Sequence, residues 1–173
     1  RHTYKAGNQN WSIQQHDNGW IYVANNKGLL EFDGVEWNTY PIHNAKTRAV
    51  KVGHDGRIYI GGMEQFGYFT PNRLGGLEYT CLSDSLSPNV NVGVIWNILL
   101  DGDRVYFQSD RRFFYWEEGV VKKIDYSSEI YTSFILRNKL YITSAEGLLM
   151  LNGTGFIPVL GPLGIGATVK VGG

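Results

Sequence analysis

The sequence predicts an all-β fold, a β-propeller of four-stranded antiparallel blades, from three observations. Glycine occurs 22 times in 173 residues and aromatic residues make up 14% of the chain, a composition typical of short strands joined by tight turns. No segment keeps an apolar period of 3.6 residues, so almost no helix is expected. A four-strand pattern also recurs at roughly the 40-residue length of one propeller blade.

The repeating unit is anchored by one tyrosine in each copy: Tyr22, Tyr59, Tyr106 and Tyr141. Successive anchors lie 37, 47 and 35 residues apart, and an inserted loop, Ser83–Gly93, explains the longest interval. We therefore expect four blades, at about residues 10–43, 44–93, 94–128 and 129–160. Residues 1–9 are expected to end a preceding strand or linker, and residues 161–173 to form a linker or begin a further blade. Propellers more often have about six to eight blades, so we expect part of a larger ring of about seven.

Each blade is predicted to contain the same four strands in the same order. The first strands are Trp11–Gln15, Arg48–Val52, Ile95–Leu100 and Thr132–Leu136. The second strands are Trp20–Ala24, Arg57–Gly61, Arg104–Gln108 and Lys139–Thr143. The third strands are Leu29–Asp33, Gly67–Thr70, Phe113–Glu117 and Leu148–Asn152. The fourth strands are Glu36–Tyr40, Leu77–Cys81, Val120–Asp125 and Phe156–Leu160. The turns between first and second strands carry the Asn, Asp and Gly that tight hairpins require.

Charge and cysteine content exclude several classes of protein. The 16 basic and 16 acidic residues cancel, which argues against a nucleic-acid surface or a polybasic membrane patch in this segment. The single cysteine, Cys81, cannot form an internal disulfide. No Cys or His cluster has the spacing of a metal site, so neither a metal nor a cofactor is predicted.

The acidic residues argue against catalysis. Asp17, Asp55 and Asp101 fall at the same turn position in three repeats, which is typical of a structural role. No Gly-x-Ser-x-Gly nucleophile motif is present. We therefore predict a non-enzymatic binding module. A propeller-fold glycosidase or lyase, which would need converging carboxylates such as Glu64 or Glu146, and a pure protein-interaction propeller are the alternatives.

Strand direction predicts where a ligand would bind. The start of each first strand, the loop between the second and third strands, and the end of the fourth strand share one edge of the propeller. That edge also carries the longer connections, where function tends to lie. Its candidate ligand-binding residues are Asn10, Trp11, Asn25, Asn26, Arg48, Glu64, Gln65, Trp96, Asp110, Arg111, Arg112 and Glu146. Aromatic faces beside amide and charged groups suit sugar recognition, although Trp11 and Trp96 could equally pack near the propeller axis. Trp20, Trp37 and Trp116 are expected to pack between blades.

The first unit resembles a known repeat family. Residues 17–24 read DNGWIYVA and residues 26–34 read NKGLLEFDG, which is similar to the regulator-propeller repeat of two-component regulators. The runs NQNWSI at residues 8–13 and EQFGYF at residues 64–69 resemble a subgroup in which a triple-tyrosine domain follows the propeller. The third and fourth units depart from the pattern in places.

The resemblance implies the sensor region of a bacterial regulator, in the periplasm, attached to an inner-membrane protein. Such regions belong to hybrid two-component systems or to helix-turn-helix transcription regulators of Bacteroidetes, and are thought to sense breakdown products of polysaccharides. It implies an oligosaccharide or similar nutrient ligand, and the rest of the propeller, a triple-tyrosine domain and a homodimer mate as partners. Any kinase or DNA-binding activity would lie in another segment.

Overall fold

A computed structural model describes residues 6–43 and 46–159. The expectations for residues 161–173 lie outside the described residues. Four separate sheets follow one another along the chain, each with its strands in sequence order and antiparallel. These four meanders confirm the predicted all-β fold. The helical content of the described residues is one short 3-10 turn, Ser83–Ser85.

In the described residues, sixteen strands make up the four blades. Blade 1 contains β1 (Asn10–Gln15), β2 (Ile21–Asn25), β3 (Gly28–Phe32) and β4 (Trp37–Pro41). Blade 2 contains β5 (Thr47–Val52), β6 (Ile58–Gly62), β7 (Phe66–Pro71) and β8 (Leu77–Cys81). Blade 3 contains β9 (Asn97–Asp101), β10 (Arg104–Gln108), β11 (Arg112–Glu117) and β12 (Val120–Asp125). Blade 4 contains β13 (Ile130–Leu136), β14 (Lys139–Ser144), β15 (Gly147–Asn152) and β16 (Gly155–Pro158).

Local sequence explains the tight hairpins. Between β13 and β14, Arg137 and Asn138 both adopt a positive φ, 50° and 57°, as a two-residue turn that matches the strand twist requires. Between β9 and β10, Gly102 supplies the positive φ of 59°. These turns lie at one edge of the propeller, which we call the turn edge.

Three apolar clusters join the blades in sequence. Leu29 of blade 1 packs with Ile60 and Phe69 of blade 2. Phe66 of blade 2 packs against Phe107 of blade 3, with ring centroids 4.5 Å apart. Blades 3 and 4 share a third cluster. The first strands of successive blades also contact each other, so β1, β5, β9 and β13 lie innermost.

The inserted loop contributes to the core between blades 2 and 3. Val92 of the loop is buried in that cluster together with Leu82, which directly precedes the loop, and Leu86 and Val90 of the loop pack against it. The insertion therefore closes an interface between blades as well as lengthening one edge.

The outer faces of blades 1 and 4 keep apolar side chains exposed. Trp37 is stacked on Phe32 on the face of blade 1 turned away from blade 2, so the expectation that Trp37 packs between blades of this chain is wrong. On blade 4, Phe134 is stacked on Tyr141 and remains exposed. Trp20 and Trp116 do pack against the clusters between blades, as expected.

Within the described ranges, no helix has the length and apolarity needed to cross a membrane.

Candidate ligand-binding edge

The starts of the first strands share a backbone irregularity that redirects their side chains. Asn10 pairs with Asn25 while Ser12 pairs with Ala24, so Trp11 is an extra residue in β1. The same shift makes Arg48 the extra residue of β5. Such bulges bend a strand and re-aim a side chain. Here they direct side chains toward the edge opposite the turns, which we call the loop edge.

Blades 3 and 4 present aromatic residues at the corresponding positions. Tyr131 is the extra residue of β13 and is 60% exposed. Trp96 immediately precedes β9, and its backbone N–H donates to the Gln108 carbonyl. The four blades therefore offer Trp, Arg, Trp and Tyr in turn at one structural position.

Trp11, Asn26 and Arg48 form a compact cluster across blades 1 and 2. The guanidinium carbon of Arg48 lies 4.0 Å from the centroid of the Trp11 ring, within cation–π range. The Oδ1 atom of Asn26 accepts hydrogen bonds from Trp11 Nε1 and Arg48 Nη1, both at 2.9 Å. Each side chain is thus held by the other two, which fixes the orientation of the indole.

Trp96 extends this cluster to blade 3. Its ring centroid lies 6.4 Å from that of Trp11, with the rings at 67° to each other. Its Nε1 donates to Asp110 Oδ1 at 2.6 Å. Trp11 is 44% exposed and Trp96 is 46% exposed, so both indoles keep ring surface open to a ligand. We call Trp11, Asn26, Arg48, Trp96 and Asp110 the edge cluster.

Asn25 has a different position from the one expected of a ligand-binding residue, because it is fully buried. Its Nδ2 donates to the carbonyls of Gly7 and Gln9 and to Asn10 Oδ1, while its Oδ1 accepts the Gly7 and Lys27 N–H groups. Asn25 therefore anchors the chain that leads into β1. Because that segment leads directly into Trp11, Asn25 helps to position the edge cluster without facing a ligand.

Glu64 and Gln65 lie at the base of the inserted loop, outside the edge cluster. Glu64 has a φ of 57°, its N–H donates to the Gly93 carbonyl, and its Oε2 accepts the Val92 N–H at 3.1 Å. The Gln65 carbonyl accepts the Gly62 N–H. The Glu64 contacts hold the inserted loop, whereas the Gln65 contact closes the turn between β6 and β7.

The remaining candidates stand around blades 3 and 4. Arg112 forms an ion pair with Asp125 at 3.3 Å and donates to the Asn91 carbonyl. Arg111 is exposed, and its carbonyl accepts the Tyr126 N–H. Glu146 accepts a hydrogen bond from Ser128 Oγ at 2.9 Å. In the described part of the chain, no side-chain hydrogen bond or ion pair joins these side chains to the edge cluster.

Sequence reasoning missed two residues at this edge. Gln9 is exposed, and its Oε1 accepts a hydrogen bond from Asn26 Nδ2 at 3.0 Å. Tyr131 was outside the predicted strand, because aligning the predicted first strands matches Thr132, and not Tyr131, with Trp11. Only the bulge itself, which is invisible in the sequence, makes that position point to the edge.

The edge cluster can stack on a flat apolar face and donate hydrogen bonds beside it. Burial lowers the pKa of the Arg48 guanidinium, which nevertheless stays protonated because arginine titrates so high. Among the described residues Arg48 makes no ion pair, so its charge remains available to a ligand. The same part of the chain holds no group of three or more His, Cys, Asp or Glu side chains that could bind a metal ion.

Comparison with known proteins gives the fold. No family model matches the sequence, and no curated protein sequence does. The structure is similar to that of virginiamycin B lyase from Staphylococcus aureus, solved with quinupristin, with a TM-score of 0.68 and 14% identity over 90% of this chain and 57% of the lyase.

Two further solved structures are similar. The extracellular domain of a hybrid two-component system from B. thetaiotaomicron gives a TM-score of 0.64 and 17% identity, over 91% of this chain and 22% of that one. PorZ, a surface component of the type-IX secretion system of Porphyromonas gingivalis, gives 0.61 and 12%, over 91% of this chain and 29% of PorZ. The chain thus spans less than two thirds of each of these proteins. At such identities the likeness shows the propeller fold alone.

Proposed function

We propose that this chain is the ligand-sensing part of an extracytoplasmic propeller in a bacterial regulator, and that it binds an oligosaccharide at the edge cluster. The observation that carries the proposal is the exposed pair of indoles, Trp11 and Trp96, held by side-chain hydrogen bonds beside a charged guanidinium. Sugars present C–H faces that stack on aromatic rings and hydroxyls that bind planar polar groups.

The comparisons support the setting of this proposal. Extracellular domains of hybrid two-component systems from B. thetaiotaomicron are among the similar structures, and the repeat pattern at residues 17–34 resembles the same class of regulator. The chain spans only a fraction of those proteins. We therefore propose a larger regulator, with about seven blades in the complete ring, a periplasmic location, a triple-tyrosine domain after the propeller and a homodimer mate.

The test is a titration of the purified chain with a panel of neutral and acidic oligosaccharides, by calorimetry. Replacing Trp11 or Trp96 with alanine is expected to weaken binding by about tenfold or more. Stacking of a nucleobase, a ring of similar size to a sugar, on an aromatic side chain contributes about 1–3 kcal/mol. Phe134→Ala removes a comparably exposed aromatic ring, 37% exposed, from the outer face of blade 4. That variant is expected to bind like the parent chain, and loss of binding in it alone would move the site to the outer face.

An enzyme is the second candidate, since a lyase shares the fold. The two carboxylates that could act, Glu64 and Glu146, are engaged by the inserted loop and by Ser128 respectively. Incubating the chain with the same panel is expected to yield no cleavage products. Cleavage that disappears in Glu64→Gln or Glu146→Gln would establish the enzymatic function instead.

A further inference from the structure

A second cavity lies at the turn edge, between blades 1 and 2, on the opposite side of the molecule from the edge cluster. Its volume is about 320 Å³, and its lining includes His16, Trp20, Tyr22 and Glu31. Turn residues of both blades, Asn18 and Gly56 among them, complete the wall. None of these residues belongs to the site of the proposed function.

Glu31 is the unusual member of this lining, because it is a carboxylate only 3% exposed. Its Oε1 accepts hydrogen bonds from the Tyr40 hydroxyl at 3.0 Å and from Asn38 Nδ2 at 3.4 Å. Its Oε2 is buried and has no hydrogen-bond partner among the described residues. A buried carboxylate oxygen without a partner is costly, and such groups are usually paired.

The lining around Glu31 contains no Lys or Arg, and its basic side chain is His16, in the β1–β2 turn. The hydrogen-bond donors to Glu31 are tyrosine hydroxyls and an amide, and within residues 6–43 and 46–159 no Lys or Arg forms an ion pair with it. Burial, and after it the negative charge of Glu31, raises the pKa of Tyr22 and raises the pKa of Tyr40 to about 12. The side of the cavity near Glu31 therefore carries uncompensated negative charge.

We propose that this cavity binds a small organic molecule through a primary ammonium group, with Oε2 of Glu31 as its acceptor. An ammonium supplies both the missing hydrogen bond and the missing positive charge. The Trp20 and Tyr22 rings in the lining suit a cation, since aromatic faces attract ammonium groups. A neutral hydroxyl would satisfy the hydrogen bond but leave the charge uncompensated.

The test compares two probes that differ only in this group, n-butylammonium and 1-butanol, titrated into the chain at neutral pH and followed by calorimetry. Butylammonium is expected to bind at least about tenfold more tightly than butanol. Equal binding of the two probes, or no binding of either, would overturn the proposal.

Variants locate the binding. Glu31→Gln keeps the shape of the side chain and is expected to reduce butylammonium affinity by about tenfold or more. Glu129→Gln removes an exposed charge next to blade 4, outside the lining of the cavity, and is expected to change the affinity by less than about twofold. An equal loss in both variants would mean that net charge alone attracts the probe, and would contradict the proposal.

Amide chemical shifts of the unmodified chain cover the case in which Glu31→Gln fails to fold. Butylammonium is expected to shift the resonances of Trp20, Tyr22 and Glu31. Shifts confined to Trp11, Arg48 and Trp96 would overturn the second site and leave the proposed function intact. Conversely, the effect of Trp11→Ala on oligosaccharide binding tests only the proposed function at the edge cluster.

Discussion

Arg48 of blade 2 lies over the ring of Trp11 of blade 1, with 4.0 Å between its guanidinium carbon and the ring centroid. Both residues are the extra residues of their strands. Two local irregularities, about one blade apart in the chain, therefore combine to build one side of the edge cluster. The contact also ties blade 1 to blade 2 at the loop edge, so it links stability with the proposed binding site.

A double-mutant cycle measures this link. We expect Arg48→Met and Trp11→Ala to be coupled by about 0.5–1 kcal/mol in the free energy of unfolding, the usual strength of a cation–π pair at an exposed site. Urea denaturation of the parent, both single variants and the double variant supplies the value. The control cycle pairs Arg48→Met with Trp116→Ala, because Trp116 contacts Arg57 and Tyr68 in another part of the fold. Additive effects in the first cycle would contradict the interaction.

Asp55 predicts a dependence of stability on pH. Burial alone would raise the pKa of this carboxyl, but hydrogen bonds from Arg57 and Tyr59 and the charge of Arg57 outweigh burial and lower it. A lowered pKa stabilises the fold above the unfolded value of about 3.9, and that contribution is lost as the pH falls through the folded pKa.

The measurement is the melting temperature of the parent and of Asp55→Asn between about pH 7 and pH 3. The parent is expected to be the more stable at neutral pH, and the difference should shrink in acid. Asp17→Asn is the control, because Asp17 lies in the corresponding turn of blade 1 and its side chain makes no hydrogen bond to the described residues. The residue that matches Asp55 in that turn is Asn18, whose Oδ1 accepts the Trp20 N–H as Asp55 Oδ1 accepts the Arg57 N–H. A constant difference between the parent and Asp55→Asn across the pH range would refute the prediction.

Strand positions were predictable because hairpin turns and alternation are local properties. Arg104–Gln108, Leu77–Cys81 and Val120–Asp125 have the bounds that the sequence predicts. The start of β9 was placed two residues early, at Ile95, since an apolar residue before a strand reads as part of it. In the structure Ile95 is fully buried in the cluster between blades 2 and 3, and its N–H donates to the Gly62 carbonyl of blade 2.

The candidate site was less predictable because burial of polar side chains depends on residues far apart in the sequence. Topology was enough to bring Trp11, Arg48 and Trp96 to one edge. It could not show that the side chain of Asn25 would be buried by hydrogen bonds to the segment before β1, or that Glu31 would be enclosed between two blades. Both outcomes depend on how neighbouring blades and loops cover a strand, and no local pattern reports that.

Cys81 is predicted to react slowly with alkylating agents. Burial raises the pKa of its thiol, and the adjacent Asp84 carboxylate, 3.2 Å from Sγ, favours the neutral form further. Since the thiolate is the nucleophile, iodoacetamide should modify the folded chain at mildly alkaline pH more slowly than the same chain in urea. Asp84→Asn should speed the reaction of the folded chain, while Asp103→Asn, in the β9–β10 turn, should not. Equal rates in the folded and unfolded chain would contradict the raised pKa.

Gly28 supports the loop that carries Asn26, and its replacement tests how rigidly the edge cluster is held. A Cβ at Gly28 would lie 2.2 Å from the Tyr40 carbonyl oxygen and 2.9 Å from the Ile42 nitrogen, and its φ is 127°. Gly34 also has a positive φ, 101°, but a Cβ there would meet nothing within 4 Å. Gly34→Ala should therefore lose about 1 kcal/mol of unfolding free energy, for the backbone conformation alone. Gly28→Ala should lose roughly 3 kcal/mol or more, because β3 and β4 must also separate, and it should weaken ligand binding at the edge cluster. Equal losses of unfolding free energy in the two variants would show that β4 moves away from β3 at little cost. That result would contradict the prediction that the backbone at Gly28 holds the edge cluster rigidly.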